Sequence, residues 1–306
     1  MRKECLNTVY KLAQKDKKVI FIGSDLGPGV LSEFKEKIPK RFFMEGVAEQ
    51  SIIGLAAGLA MDGYKPFVNT IATFITRRCF EQVCIDLCLH NLPVRLIGNG
   101  GGLVYAPLGP THQATDDISI IRTLPNISII SPCDATEMRL LVRQINKLKS
   151  PVYVRVGRGG EKIVAKNEKK IIFGKVNILK KPKKFAYFTT GVMAQKALEA
   201  SKILDQKHKI KDVGVIQFGT IKPLDHTFLK KWIPKLDKIV TVEENNLAGG
   251  FGSCILEFIS DKMPDQLKKV RRIGLGDKFV HKYGSQDELF DYYGLNPKNL
   301  VKKVLK

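Results

Sequence analysis

The stretch RFFMEGVAEQSIIGLAAGLA, residues 41–60, decides how the rest of the chain is interpreted. In it a polar pair, Glu49 and Gln50, precedes a run that is otherwise small and apolar. The apolar positions of that run recur at helical spacing: Ile53, Ala56, Ala57 and Ala60. Gly54 and Gly58 lie four residues apart, so we predict a buried helix whose backbone is closely approached by another element.

Glu49 stands at or just before the first turn of this helix, where the helix dipole favours a carboxylate. On its own it is an ordinary acid at a helix N-terminus. The helix behind it has no charged residue until Asp62 and is predicted to be core. An acid at the mouth of a buried helix needs a partner for its charge, and such acids cluster at functional sites. Glu49 is therefore a candidate functional residue.

The motif G-V-A-E-Q-x-x-x-G-x-A-A-G-L-A, residues 46–60, closely resembles the pyrimidine-binding domain of the transketolase family. That family uses thiamine diphosphate. The resemblance implies that Glu49 hydrogen-bonds the aminopyrimidine ring and drives the tautomer that deprotonates the thiazolium carbon. It extends over nearly all 306 residues, but only over the C-terminal half of a full-length transketolase.

Length and composition indicate a globular protein of two domains, with 306 residues of which 44% are hydrophobic. No apolar run approaches the ~20 residues of a membrane span. Residues 1–18 lack the apolar stretch of a signal peptide, so we expect a cytoplasmic protein. The six cysteines form no CxxC pair, which favours reduced thiols over a zinc site.

The net charge of +21 comes from 51 Lys and Arg against 30 acids. The basic residues are mostly lysines, thinly spread, without the aromatic-interleaved motif of an RNA-binding fold. A nucleic-acid function therefore rests on charge alone. We interpret the charge as a solvated lysine-rich surface that suits anionic phosphorylated substrates or an acidic partner chain.

Apolar strands alternate with helical segments in both halves, which predicts an α/β fold with mostly parallel sheets and functional loops at the strand C-termini. We predict a pyrimidine-binding domain at residues 1–160, a charged connector at 161–184 and a second α/β domain at 185–306. The second domain resembles the transketolase C-terminal domain through V-E-E-x-x-x-x-G-G-x-G-S at residues 242–253. The triplet YGL at residues 293–295 also matches that family.

Phe74 lies in the segment ATFITRR, residues 72–78, at a strand-to-helix junction. An aromatic side chain there can offer its ring to a flat heterocycle, although an isolated Phe is usually a core residue. The resemblance implies that Phe74 stacks on the aminopyrimidine. It also implies that Arg77 or Arg78 is the active-site arginine of the family, and the register leaves the choice open.

His112 lies in the segment GPTHQ, residues 109–113, where a Gly-Pro loop positions the side chain rather than packing it. Alone, it is equally well interpreted as a surface histidine. The resemblance implies that His112 faces the substrate on the cofactor, where imidazole can stabilise oxygen charge or shuttle a proton. Asp117 either orients this loop or is a solvent-facing acid.

Arg155 and Arg158 lie beside glycines in the segment YVRVGRGG, residues 153–160, at a predicted strand end. Two guanidinium groups in that setting suit recognition of a phosphate or carboxylate. A salt bridge to the neighbouring domain is the alternative. The resemblance favours Arg155 over Arg158 as the arginine that binds the substrate phosphate.

The sequence departs from the family at three loop positions. Gly100 and Leu108 replace a His and an Asp that hold the sugar hydroxyls in transketolases, and Gly29 replaces a phosphate-contacting Ser. A leucine cannot accept a hydrogen bond, and leaving a hydroxyl unpaired costs roughly 1–3 kcal/mol. We therefore expect a donor or acceptor that differs from the usual ketose phosphates.

The sequence also lacks the G-D-G motif and following Asn that hold Mg²⁺ and the diphosphate in the family. The resemblance therefore implies a split enzyme, in which an N-terminal-type subunit supplies that half-site and the cofactor binds at the interface of an α2β2 assembly. A 2-oxo-acid dehydrogenase E1 β-subunit is an alternative that the THQ loop argues against. A deoxyxylulose-phosphate synthase half is another, supported by R-x-x-[DE]-Q-V at residues 78–83, and a catalytically inactive partner subunit is a third.

Overall fold

The computed structural model describes residues 1–23, 30–44, 46–211 and 213–305. Twelve strands lie in this part of the chain: β1 Val19–Gly23, β2 Phe42–Met44, β3 Lys65–Ile71, β4 Arg95–Asn99, β5 Ser128–Ile130, β6 Val152–Val156, β7 Asn177–Lys180, β8 Phe185–Thr189, β9 Val213–Gln217, β10 Thr220–Lys222, β11 Lys238–Asn246 and β12 Val270–Leu275. The α-helices are α1 Arg2–Lys15, α2 Val30–Lys37, α3 Glu49–Met61, α4 Phe80–Gln82, α5 Asp117–Ile121, α6 Ala135–Ile145, α7 Met193–Lys207, α8 His226–Trp232, α9 Phe251–Lys262, α10 Gln286–Tyr292 and α11 Pro297–Leu305.

The strands form two sheets, and each is the centre of one α/β unit. The first sheet has the order β10-β5-β6-β4-β3-β1-β2 and the second has the order β12-β11-β8-β9-β7. All strand pairs are parallel except β10 with β5 and β7 with β9. The predicted fold class, two consecutive α/β units with mostly parallel sheets, is confirmed. Strands such as β1, β4 and β6 are buried throughout, as expected of parallel strands covered on both faces.

Two short strands lie in sheets that the predicted domain limits do not assign to them. β7 lies inside the predicted connector and forms an edge of the second sheet. β10 comes from the second half of the chain and pairs antiparallel with β5 of the first sheet. The same junction carries a hydrogen bond from Gln217 Nε2 to Glu137 Oε2 at 3.1 Å. Burial raises the pKa of Glu137 to about 7.

Helix α3 differs from the prediction on one face. Its Ile52, Ile53 and Ala56 are buried, as its spacing predicts. The predicted close approach to the backbone at Gly54 and Gly58 is wrong for the described part of this chain. A Cβ built at either glycine would meet no described atom within 4 Å. The helix packs only one side on the sheet, and the glycines lie on the other.

Within the described ranges, no helix is both long enough and apolar enough to cross a membrane.

Candidate active site

Glu49 is the first residue of α3, and its carboxylate is almost completely buried, with 4% of the side chain exposed. Arg78 supplies the partner that such a buried charge requires. Its Nη1 donates a hydrogen bond of 2.6 Å to Glu49 Oε2. Because the Arg78 side chain is 44% exposed, the pair connects a buried acid to an open surface.

Phe74 lies beside this ion pair. It begins a π-helical turn, Phe74–Arg78, shortly after β3 ends, and such turns are frequent at functional sites. The guanidinium carbon of Arg78 lies 4.4 Å from the centroid of the Phe74 ring. One planar cation therefore covers the aromatic face while it donates to the buried carboxylate.

His112 completes the cluster from a third segment of the chain. Its ring centroid lies 5.2 Å from that of Phe74, in an edge-to-face arrangement with an interplanar angle of 67°. Thr111 Oγ1 lies 2.9 Å from His112 Nδ1. The structure thus brings together Glu49, Phe74 and His112, which the sequence singled out separately, with Arg78 between them.

Arg77 has a different surrounding from that of its neighbour. Its Nε donates to both oxygens of Asp116 at 2.9 and 3.0 Å, and Nη2 donates to the carbonyl of Gln113 at 3.2 Å. Arg77 therefore anchors the loop that carries His112, whereas Arg78 faces Glu49. Of the two arginines between which the sequence left the choice open, Arg78 is therefore the one that contacts Glu49 and Phe74.

Arg155 is held by partners from both units. It is buried, and its Nε donates to Asp117 Oδ2 at 2.7 Å. Its Nη2 donates to the backbone carbonyl of Glu244 in the second unit at 2.8 Å. Burial alone would lower the pKa of this guanidinium, but the carboxylates of Asp117 and Glu244 raise it. Through these contacts the Arg155 side chain lies in the junction between the units rather than in the cluster around Glu49.

Asp117 is correspondingly buried rather than solvent-facing, and it also accepts a hydrogen bond of 2.8 Å from the Tyr153 hydroxyl. Arg158 is exposed and lines a separate cleft of about 300 Å³ with Lys162 and Lys196. That cleft contains none of Glu49, Phe74 and His112. The structure therefore separates both predicted substrate arginines, Arg155 and Arg158, from the other candidates.

The conformation of the loop before His112 leaves no room for a side chain at position 100. Gly100 has a φ of +78°, and a Cβ at this position would overlap the ring of Tyr105. A histidine here would require the loop to be rebuilt. Leu108 is 50% exposed and presents an apolar side chain next to Gly109. Gly29 lies outside the described residues.

The cluster fits a flat, protonated nitrogen heterocycle. The Arg78 guanidinium, which is planar and carries N–H donors, already makes the two contacts that such a ring needs: a face on Phe74 and a hydrogen bond to Glu49. The aminopyrimidine ring of thiamine diphosphate has the same character. A metal site is not found among the described residues, since they contain no group of three His, Cys, Asp or Glu that could hold a metal ion.

The sequence did not single out the contacts that the second unit makes with the His112 loop. Glu244 Oε1 accepts a hydrogen bond of 2.6 Å from the backbone N–H of Leu103, and another of 2.7 Å from Gln286 Nε2. Tyr283 lies against Gly109. The V-E-E motif was the available signal for Glu244, but its contact with the loop depends on how the two units pack.

Two family profiles match the sequence: "Transketolase, pyrimidine binding domain" over residues 1–160 and "Transketolase, C-terminal domain" over residues 174–300. The chain is 38% identical over 302 residues to 1-deoxy-D-xylulose-5-phosphate synthase of Caldanaerobacter subterraneus subsp. tengcongensis, covering 98% of this chain and 47% of that protein. It therefore spans about half the length of that relative. It is 34% identical over 307 residues to one subunit of the apulose-4-phosphate transketolase of Phocaeicola vulgatus, covering 100% of this chain and 96% of that protein.

Among solved structures, the chain is similar to a split gene transketolase described as an inactive β4 tetramer. The TM-score is 0.88 at 30% identity, covering 99% of this chain and 96% of that one. The transketolase of Leishmania mexicana shares the fold, with a TM-score of 0.81 at 19% identity over 99% of this chain and 44% of that one.

Proposed function

This chain belongs to the transketolase family, and we propose that it is the pyrimidine-binding subunit of a thiamine diphosphate enzyme that transfers a two-carbon ketol unit between sugar substrates. The single observation that carries the proposal is the buried carboxylate of Glu49 beside the face of Phe74, with His112 at its edge. Two predicted cofactor residues and one predicted substrate residue meet there, from three segments of the chain.

The cofactor, when bound, supplies a nucleophilic carbon that accepts and passes on the two-carbon unit. Glu49 would share a proton with a ring nitrogen of the cofactor, because its buried carboxylate has almost no contact with solvent. Phe74 would offer its face to the ring. His112 would act on substrate oxygen through Nε2, since the Thr111 hydroxyl already engages Nδ1.

A second polypeptide would complete the site. Exposed apolar side chains lie on the segment that carries Glu49, namely Val47 at 84% and Leu55 of α3 at 46% exposure, which supports a protein partner on this face. We propose an N-terminal-type transketolase subunit that holds the diphosphate and Mg²⁺, in an α2β2 assembly. The name of the Phocaeicola relative, which describes one subunit of a transketolase, supports this division.

The substrates would differ from the usual ketose phosphates. Tyr105 fills the space over Gly100, and the exposed side chain of Leu108 is apolar where the family places hydroxyl-binding groups. The net charge of +21 still suits a phosphorylated or nucleotide-linked sugar. Ordinary turnover of xylulose 5-phosphate by the assembled enzyme would refute altered recognition.

A deoxyxylulose-phosphate-synthase-like half is the second candidate. It is favoured by the 38% identity to a 1-deoxy-D-xylulose-5-phosphate synthase and by the R-x-x-E-Q-V segment that contains Arg78. Consumption of pyruvate with release of carbon dioxide would select this function. Ketol transfer without pyruvate consumption would select the first.

The test begins with the tagged chain in its native host. The co-purifying chain is identified by mass spectrometry, and the two chains are then co-expressed and assayed for both reactions. We expect activity only from the pair. Glu49→Gln should lower the rate of the pair at least a hundredfold while assembly is retained, with Glu199→Gln, an exposed acid on α7, as the matched control. An unchanged rate for Glu49→Gln in an active pair would contradict the catalytic role.

A further inference from the structure

The loop that carries His112 has little regular structure of its own. It leaves β4 at Asn99, and Gly100, Gly102 and Gly109 all have positive φ angles. A segment of this kind keeps one conformation only if its surroundings fix it. Fixation matters here because catalysis requires His112 at a defined distance from the reacting atoms.

One residue of the second unit contacts one end of this loop directly and is linked to the other end through Arg155. The side chain of Glu244, in β11, accepts from the backbone N–H of Leu103 at 2.6 Å. The backbone carbonyl of Glu244 accepts from Arg155 at 2.8 Å, and the same guanidinium nitrogen donates to the carbonyl of Ala114 at 3.3 Å. His112 lies between Leu103 and Ala114, so both limits of its loop are connected to Glu244.

The contact is tight and enclosed. A Cβ at Gly102 would overlap the carboxyl group of Glu244, so only glycine permits this approach. Gln286 donates to the same Glu244 oxygen at 2.7 Å and holds the carboxyl group in place. Glu244 is buried, and burial raises its pKa to about 7, against the effect of Arg155, Gln286 and the Leu103 N–H.

A second contact from the same unit lies closer to His112. A Cβ at Gly109 would lie 2.8 Å from the ring of Tyr283. The ring therefore covers the backbone three residues before the histidine. Both contacts come from the second unit, whose sheet carries none of the candidate site residues.

We propose that Glu244 is a positioning residue for His112, and that the second unit fixes the conformation of the catalytic loop through it. The catalytic part of this inference rests on the proposed function, whereas the fixation of the loop does not. Each part has its own measurement.

Two variants test whether Glu244 acts by accepting hydrogen bonds or only by occupying space. Glu244→Gln keeps an oxygen that can accept from Leu103 and Gln286, while Glu244→Ala removes it. In the isolated chain, hydrogen–deuterium exchange of the peptide covering residues 100–113 should be about fivefold faster in the alanine variant, since one hydrogen bond contributes about 1 kcal/mol. The glutamine variant and the control Glu199→Ala, an exposed acid on α7, should stay within about twofold of wild type.

In the assembled enzyme, Glu244→Ala should lower kcat about ten- to a hundredfold, because a displacement of about 1 Å can cost a hundredfold in rate. KM and cofactor affinity should change less than threefold, and the glutamine variant should retain most of the rate. Unchanged exchange in the alanine variant, or equal loss of kcat in both variants, would overturn the proposal. If wild type shows no ketol transfer, the proposed function fails, and the exchange measurement still decides the fixation.

A second variant keeps the test decisive if Glu244→Ala does not fold. Gln286→Ala leaves the carboxyl group in place but removes the donor that orients it. We expect a smaller change in the same direction, about threefold faster exchange over residues 100–113. No change in either exchange or kcat for this variant would count against Glu244.

Discussion

In the chain alone, Arg78 occupies the position that the ring of the proposed cofactor would take. Its guanidinium donates to Glu49 at 2.6 Å and lies 4.4 Å from the centroid of Phe74. A ring that bonds to the same carboxylate and stacks on the same face must displace it. Arg78 therefore protects the buried Glu49 charge before assembly, and the free energy of its contacts opposes cofactor binding.

The free energy with which Arg78 opposes cofactor binding follows from its two contacts, with Glu49 and with Phe74. A hydrogen bond between charged groups contributes about 1.5–3 kcal/mol. Because the Arg78 side chain is 44% exposed, solvent screening reduces this to about 1 kcal/mol. The contact with the Phe74 ring adds about 0.5–1 kcal/mol at an exposed position. Together they oppose binding by about 1.5–2 kcal/mol, which corresponds to about ten- to thirtyfold in Kd.

Arg78→Ala should therefore bind thiamine diphosphate about ten- to thirtyfold more tightly in the assembled pair, as measured by titration calorimetry. The isolated variant should be less stable, since Glu49 then lacks its partner. Arg143→Ala, which removes an exposed arginine of α6, controls for the loss of one positive charge. Weaker or unchanged cofactor affinity in Arg78→Ala, relative to that control, would refute the reasoning.

Two further predictions concern the junction between the units. Asp117→Asn removes the charge that neutralises buried Arg155, so it should lower the free energy of unfolding, measured in urea, by about 3–5 kcal/mol. The control Tyr153→Phe removes one hydrogen bond to the same carboxylate and should lower it by about 1 kcal/mol. Similar losses in the two variants would contradict the prediction. Burial raises the pKa of Glu243 from 4.5 to about 8. Between pH 4.5 and about 8 the folded chain therefore keeps a proton on Glu243 that the unfolded chain releases. The free energy of unfolding should fall as the pH rises across this window. Glu243→Gln should flatten this decline relative to the exposed control Glu257→Gln, and an unchanged slope would count against it.

The sequence predicted those parts of the fold that depend on local pattern. The strands β1, β6 and β9 lie in mainly apolar runs of the sequence, as expected of buried parallel strands. β10 was missed, since three residues carry almost no pattern and pair only because the units pack together. The strand exists through a tertiary contact that no window of sequence contains.

The candidate site shows the same limit at the level of side chains. Motifs identified Glu49, Phe74 and His112, whose roles depend on residue type and on their place at strand or helix ends. They did not separate Arg77 from Arg78, because adjacent residues on one helical turn point in different directions and a shift of one residue exchanges them. The direction of Arg155 likewise depends on Asp117 and the second unit rather than on its own neighbours.

The open face of α3 and the position of Arg78 have a common interpretation. Gly54 and Gly58 each weaken a helix interior by about 1 kcal/mol relative to alanine, and no described atom of this chain packs against the space that they leave. Arg78 likewise satisfies Glu49 from an exposed position, with a contact that a ring would make in its place. Both features are unfavourable in the chain alone, and both would become favourable if the proposed partner subunit covered this face. If a stable complex with the proposed partner left the α3 glycines as open to hydrogen exchange as they are in the free chain, this interpretation would be wrong.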